Sequence, residues 1–400
     1  MLPNNKTYIS GSLFSLFCIG GYLLAIGYGV TFLLPMLLAK SGGDEAIAGL
    51  VISSATCSTV LFVLFCGHLT DYIGSSLAVV LSSLLLAIAC FGFAFSANSI
   101  ILMLLFGFIL GIGWGIFYTL GPIILTTIID PQMRVQYFAL LSGSMMAGIG
   151  TGPLFGRLSS LFALNLEWAF IAAGSASLLG TVLYLYIQYR LSKSYDFEIH
   201  SSKISMQSSR SVFRSNARFA IVIVGLGGCI FGGLSSFQSS YAQQYNYDYS
   251  LFFIGFVSAV ITCRLLVARF VLTRDPLLMS AFLTAIVVIS LLMFIFLTQS
   301  VFLYLLASIT LGVGYGLTYS VINGLAANEA PSKYMAQSLL LFSLSYFVGV
   351  FGFPLIAGQL IVHSGVPLML TVLLIISLLN HLICLYRLYT RAVENRGIAI

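Results

Sequence analysis

Residues 110–115 read LGIGWG, and residues 311–316 read LGVGYG, 201 positions further on. Pro153 in GTGPLFG and Pro354 in FGFPLIAG stand at the same offset of 201. The 400-residue chain is therefore read as a duplicated half of about 200 residues, a period far longer than that of solenoids or propellers. Repeats of this size in a very apolar chain are the mark of a transporter built from two related bundles.

Composition narrows the class. Hydrophobic residues make up 60% of the chain and charged residues only 7%, against roughly 25% charged in soluble domains. Such a chain cannot cover a water-facing surface. Its apolar runs repeatedly reach the ~20 residues needed to cross hydrocarbon. Twelve are expected, over 11–39, 46–66, 77–97, 99–128, 136–160, 166–190, 218–242, 249–272, 276–298, 301–325, 335–362 and 366–388. Continuous apolar runs satisfy their backbone polar groups as helices, whereas a barrel would show short alternating strands. The expected fold class is thus an all-α membrane protein of twelve transmembrane helices in two pseudo-symmetric six-helix bundles. Residues 1–190 are expected to form the first bundle, 191–217 a cytoplasmic linker, and 218–400 the second bundle with a short tail. The first run is too long for a cleaved signal, and no small-residue cleavage site follows it.

If the runs alternate across the bilayer, Lys6, Arg134, the 190–218 stretch, Arg269, Arg274, Lys333, Arg387, Arg391 and Arg396 share one side. Lys40 and Arg157 lie near the other. Lysine and arginine concentrate in cytoplasmic loops, so both termini and the central loop are expected in the cytoplasm and the chain in an inner (plasma) membrane. The same bias accounts for the net charge of +6, and no nucleic-acid partner is implied. The seven cysteines lie in or beside the runs, without metal-ligand or disulfide spacing, and read as small buried hydrophobes. No cofactor or metal is expected. The long polar break, LSKSYDFEIHSSKISMQSSRSVFRSNA over 191–217, is Ser-rich and reads as a tether. The other connections are short, which makes successive helices antiparallel neighbours.

Two motifs sharpen the reading. After the second run comes Gly67-His-Leu-Thr-Asp71-Tyr-Ile-Gly74, read as a loop, and the fifth run carries Gly148-xxx-Gly152-Pro153-xx-Gly156. Here the chain resembles the major facilitator superfamily, whose members carry a Gly-xxx-Asp-Arg-x-Gly loop between helices two and three. An antiporter branch of that family carries a glycine-proline motif on helix five. The resemblance implies the major facilitator fold and a conformational switch made of Gly67, Asp71, Gly74 and Arg134, with Asp275 in the corresponding loop of the second half. In such a switch Asp71 would latch the cytoplasmic side against the start of run eleven, near Tyr334–Ser338; the alternative is a solvated loop aspartate. The chain departs from the family at Tyr72, where the family has Arg, at Gly107, where helix four often carries an Arg, and at Arg157, which replaces the last glycine of the helix-five motif.

Small residues recur every four positions at Gly107, Gly111 and Gly115, at Gly148, Gly152 and Gly156, and at Ser308, Gly312 and Gly316. This spacing puts each set on one helix face and lets backbones approach closely. Sliding between two states and ordinary tight packing both explain it. Trp114 and Tyr118 on run four have their 201-offset equivalents in Tyr315 and Tyr319 on run ten. Aromatic residues with polar tips at mid-membrane want a hydrogen-bond partner. Together with Tyr28, Gln238 and Asn323 they are expected to line a substrate cavity. Arg264 lies well inside run eight, where a charge is costly and points to function. Three readings stay open for it: attraction of an anionic substrate, snorkelling towards the cytoplasm, and bracing the second half with Asp275.

All eleven acids map to loops or helix ends, so either coupling uses an acid near an end or transport is facilitated. His381 on run twelve would titrate near neutrality, but a lone membrane histidine is more often structural. An enzyme would need clustered His and acids or a nucleophile with its base. His68, His200, His363 and His381 are scattered instead, and no phosphate loop is present. A sensor would normally keep a signalling tail, and Tyr389–Ile400 is short. The function expected is secondary active transport of a small molecule by alternating access. Proton-coupled export of a drug-like or metabolite solute leads, with uptake or facilitated transport of an anionic nutrient or siderophore as the alternative. The partners expected are a small-molecule substrate, protons and the lipid bilayer, and the chain is expected to act as a monomer.

Overall fold

The computed structural model describes residues 9–129, 134–194, 205–267, 273–296 and 300–395. Lys6, Asp130, Asp196, Glu198, His200, Lys203, Arg269 and Arg396, considered above, lie outside the described residues, as do the side chains of Cys66, Gly67, Arg134 and Lys193.

The described chain is helical. Its elements are α1 (Gly11–Gly29), a 3-10 turn Val30–Leu33, α2 (Leu34–Ala39), α3 (Glu45–Ile73), α4 (Ser75–Phe95), α5 (Ile100–Ile128), α6 (Arg134–Leu161) and α7 (Glu167–Ser194). There follow α8 (Met206–Arg214), α9 (Ala217–Ser236), α10 (Gln238–Gln244), α11 (Ser250–Thr262) with a π-helical turn Cys263–Val267, α12 (Pro276–Phe296), α13 (Val301–Asn328) and α14 (Met335–Asn395). Among the described residues eleven spans are long and apolar enough to cross a membrane, and the last is broken at Gly365 (φ 80°, ψ 170°), which makes twelve. Side chains pointing away from the helices are apolar, Phe95, Ile101 and Phe302 among them at 77%, 79% and 71% exposed. In water such a surface would aggregate; in hydrocarbon it is solvated.

The repeat read from the sequence reappears in the element ends. α4 and α12 start 201 residues apart, at Ser75 and Pro276, and end 201 apart, at Phe95 and Phe296. α5 and α13 start at Ile100 and Val301, and α7 and α14 end at Ser194 and Asn395. The start signals repeat as well: Ser99 Oγ accepts from Leu102 N at 3.5 Å, and Ser300 Oγ from Leu303 N at 3.2 Å. Each bond satisfies one of the amides that a helix start leaves free. Gly74 and Asp275, also 201 apart, both sit at the N-terminus of the third helix of their half. Asp275 Oδ1 accepts from Leu277 N at 2.9 Å and Leu278 N at 3.4 Å, while Gly74 offers a φ of 79° instead.

Two expectations change. The stretch Gly67–Ile73 is not a loop: α3 runs through it, and the turn falls on Gly74 alone. The segment has no proline, and its one glycine, Gly67, does not stop the helix; Gly74 alone there takes a conformation that side chains disfavour. Within the tether, Ser205 and Ser208 form a capping box that starts the amphipathic α8. Run seven is not one helix but breaks at Phe237 between α9 and α10.

Contacts group the chain into two units, one of Met1–Val30 with Cys57–Lys203, the other of Thr31–Thr56 with Ile204–Ile400. In the first, α1 packs on α6 and α7, and α4 packs on α5 and α7. In the second, α9 packs on α14, α13 packs on α11 and α12, and α12 also packs on α14. The second unit includes the start of α3, where Ser53 Oγ donates to the Phe351 carbonyl at 2.8 Å and Ser240 Oγ donates to Glu45 Oε1 at 2.9 Å.

The chain turns between the last two helices of each half on a residue with positive φ. In the second half it is Gly365, in the first Ala163 at φ 53°. Gly365→Ala is therefore expected to cost about 1–3 kcal/mol, whereas Ala163→Gly should recover up to about 1 kcal/mol. Unfolding of the purified protein by sodium dodecyl sulfate titration reads both, and equal effects of the two changes would contradict the assignment.

Candidate functional site

The helix-five motif sits where two backbones meet. A methyl group on Gly148 would run into the Tyr22 carbonyl, and one on Gly152 into the backbone of Gly29 and Val30. Gly29 in turn has no room against Ile149 of α6. α1 and α6 thus touch main chain to main chain, a contact that small residues alone permit. Pro153 and Gly156 continue this stretch of α6, both buried. Tyr22 Oη and Thr151 Oγ1, 3.1 Å apart, close a hydrogen bond across the same seam.

Two glycines of α5 are packed in the same manner, and both have counterparts in α13. A methyl on Gly113 would lie 2.8 Å from the Ser82 carbonyl oxygen, and one on Gly314 3.0 Å from that of Leu283. On the other flank Gly115 faces Thr59 and Gly316 faces Val260. Each pair is related by the offset of 201. Thr59 Oγ1 adds a bond to the Gly111 carbonyl at 2.9 Å.

These seams hold two aromatic groups, one per unit. In the first unit Tyr28 stacks on Trp114 with ring centroids 4.8 Å apart, and Tyr118 lies 5.8 Å from Trp114. Trp114 is 1% exposed, so its ring is a packing element as well as a candidate contact. In the second unit the Tyr315 ring stacks on Phe231 at 5.1 Å and its hydroxyl donates to Tyr346 Oη at 3.3 Å. Tyr319 meets Tyr346 edge-on at 5.4 Å. Tyr315 and Tyr319 also line a cleft together with Thr318, Thr284 and Asn380. Asn323, one turn past Tyr319, is half-buried.

Gln238 and Arg264 lie apart from that cleft's lining. Gln238 begins α10 just after the break at Phe237. It is fully buried, with Oε1 accepting from Tyr304 Oη at 3.0 Å and Nε2 lacking a partner. Arg264 is 5% exposed and sits on the π-helical turn, where its Nε donates to the Gly316 carbonyl at 3.3 Å. Single π-helical turns inside helices recur at functional sites.

Of the switch residues, Asp71 is exposed in the last turn of α3 and Gly74 follows it with positive φ. Asp275 faces Arg391, whose Nη1 donates to its Oδ1 at 3.0 Å, so the carboxylate joins the start of α12 to the end of α14. A second ion pair was missed by the sequence reading. Arg387 Nη2 donates to Glu329 Oε1 at 2.7 Å, and the same guanidinium stacks 4.8 Å from the Phe219 ring. The available signal was the position of Glu329 and Arg387 at the ends of runs ten and twelve on one membrane side. Among the described residues no group of three His, Cys, Asp or Glu side chains is placed to hold a metal ion.

A family model described as Major Facilitator Superfamily matches residues 13–354. An uncharacterized MFS-type transporter of Methanocaldococcus jannaschii is 24% identical over 341 residues, 81% of this chain and 85% of that one. The multidrug resistance protein MdtL of a Shewanella species is 28% identical over 149 residues, 36% of this chain and 37% of its own. Among solved structures, the human organic anion transporter MFSD10 superposes with a TM-score of 0.71 at 15% identity, over 93% of this chain and 98% of that one. A point mutant of the nucleoside transporter NupG gives a TM-score of 0.72 at 15% identity, over 94% and 98%.

The glycine seams make a graded prediction. Gly152→Ala should destabilise the protein by about 1–3 kcal/mol through overpacking. Gly143→Ala on the same helix, with nothing within 4 Å of the new methyl, should be neutral or slightly stabilising. Thermal unfolding midpoints of the two variants in detergent decide it; equal midpoints would mean the seam relaxes freely.

Proposed function

This chain belongs to the major facilitator superfamily, and from that premise we propose that it is a proton-coupled exporter of a drug-like or metabolite solute. Family membership makes it a multi-pass membrane protein that moves a small molecule across a lipid bilayer, a transporter and not an enzyme. Beyond this, the reading is that transport proceeds by alternating access, with residues 1–190 and 218–400 as the two working bundles. We place the chain in an inner (plasma) membrane with both termini in the cytoplasm, on the bias of Lys and Arg towards one set of loops. Because both repeats lie in one chain, the monomer suffices for a pseudo-symmetric carrier.

The observation that carries export is the Gly148–Gly156 motif with its main-chain contact to α1, supported by the partial similarity to a multidrug resistance protein. Asp71 and Gly74 serve as the switch at the end of α3, and Tyr28, Trp114, Tyr118, Tyr315, Tyr319 and Asn323 as substrate contacts. Inverted membrane vesicles with an imposed inside-acid gradient test this. Amphipathic drugs, sugars, amino acids and siderophore-like anions are screened for dissipation of the gradient. Substrate-triggered proton efflux that Asp71→Asn abolishes is expected. Solute that crosses without moving the gradient would replace antiport by facilitated transport.

Arg264 favours a second reading, the uptake or facilitated movement of an anionic solute. A buried guanidinium attracts a carboxylate or phosphate more strongly than it would in water. On this reading Arg264→Ala lowers the apparent affinity for an anionic substrate by about tenfold, ~1.4 kcal/mol, and leaves a cationic one unchanged. Competition of labelled transport by matched anionic and cationic solutes reads the difference, and parallel losses would assign Arg264 to packing on Gly316.

A further inference from the structure

Inside the second unit a cleft runs among α9, α12, α13 and the second arm of α14. Gly227, Thr284, Tyr315, Thr318, Tyr319 and Asn380 line it together with aliphatic side chains, and it holds about 20 Å³ of free space. That is room for one group of about the size of a water molecule.

Three of the residues lining the cleft differ in kind from their counterparts in the first half. At the offset of 201, Thr318 corresponds to Phe117, Gly227 to Ile26 and Asn380 to Leu179. In the first half Phe117 and Ile26 are 0% and 2% exposed and fill their positions. In the second half a threonine and a glycine leave them open. A methyl on Gly227 would meet only Tyr315 Cε2, at 4.0 Å. The fold is therefore completed in one half without any of these polar groups.

Asn380 is 4% exposed, and its Oδ1 has no hydrogen-bond partner. A buried acceptor left unpaired is costly and rare. Three of the hydroxyls near it already place their protons elsewhere. Thr318 Oγ1 donates to the Gly314 carbonyl at 2.6 Å and Tyr315 Oη to Tyr346 at 3.3 Å. Thr284 Oγ1 has one proton for the Ser280 carbonyl at 2.7 Å and His381 Nδ1 at 3.0 Å. The buried Asn380 Oδ1 is thus an acceptor that none of these three hydroxyls serves, a place for a donor from outside the protein. Tyr315 and Tyr319 add aromatic surface to the lining.

We propose that this cleft is a binding subsite for the primary ammonium or hydroxyl group of a small amphipathic ligand, with Asn380 Oδ1 accepting its hydrogen bond and Tyr315 and Tyr319 flanking its apolar part. This deepens the reading of the chain as a carrier of amphipathic solutes and rests on it for the ligand's origin. The test reads binding and not transport, so the two fail separately.

Full-length protein in nanodiscs is titrated calorimetrically with benzylammonium, benzyl alcohol and benzyltrimethylammonium, which share a ring but differ in donors and head size. Benzylammonium is expected to bind at least about tenfold more tightly than benzyltrimethylammonium, with benzyl alcohol between them. Asn380→Leu should erase the difference, and Asn380→Asp, which keeps the acceptor and adds charge, should tighten benzylammonium further. Gly227→Ala adds a methyl where there is room and should weaken benzylammonium several-fold without loss of folding. Equal affinities for donor and non-donor, or a difference that survives Asn380→Leu, would overturn the proposal. Absence of binding by all three probes would overturn it too and leave the cleft as the seat of a buried water. If Asn380→Leu fails to fold, the opposite signs expected for Asn380→Asp and Gly227→Ala decide.

Discussion

Main-chain contact at glycine is the constraint on which the rest of this structure depends. Lipid is as apolar as leucine, so helices in a bilayer gain nothing by hiding hydrophobic surface from it. They associate through close van der Waals contact, and that requires a missing side chain. Gly148 meets the Tyr22 carbonyl in the first unit. Gly349, its equivalent 201 residues on, meets the Gly225 carbonyl in the second. Gly113 and Gly314 do the same for the α4–α5 and α12–α13 pairs. With these seams fixed, the aromatic side chains next to them have few places to go, which is why Trp114 and Tyr315 end in stacked groups instead of at the lipid surface.

Such seams also explain how much of the fold could be read directly. Apolar length and glycine spacing are properties of single helices, and both are visible in the chain. The twelve spans and their period of 201 residues return in the element ends at Ser75 and Pro276 or Ser194 and Asn395. The membership of the superfamily follows from the same features, with the family match over residues 13–354 behind it.

What was not legible depends on partners or on local geometry. The segment Gly67–Ile73 reads as a loop because two glycines and an aspartate suggest one, yet helical residues tolerate an occasional glycine and only Gly74 takes a positive φ. The break at Phe237 has no proline or glycine beside it to announce it. The pairing of Arg387 with Glu329 joins residues 58 apart in sequence, and only their places at the ends of runs ten and twelve hint at it. The cleft beside Asn380 was harder still, since it is defined by volume that Thr318 and Gly227 do not occupy. In the same way nothing along run twelve ties His381 to Thr284, whose hydroxyl lies 3.0 Å from its Nδ1.

The covalent joining of the two repeats has a consequence of its own. A carrier assembled from two identical copies must present every substitution twice, once on each side of its axis, because an isologous interface is self-complementary. A polar pocket introduced in one copy would appear in the other whether or not it was wanted there. Fusion removes that obligation. Phe117 can keep one half solid while Thr318 opens the other, and Leu179 can face outward where Asn380 faces in. The duplicated chain is thus free to divide labour between a half that stays rigid and a half that discriminates. This asymmetry is available to a molecule whose two sides are inherited as one gene.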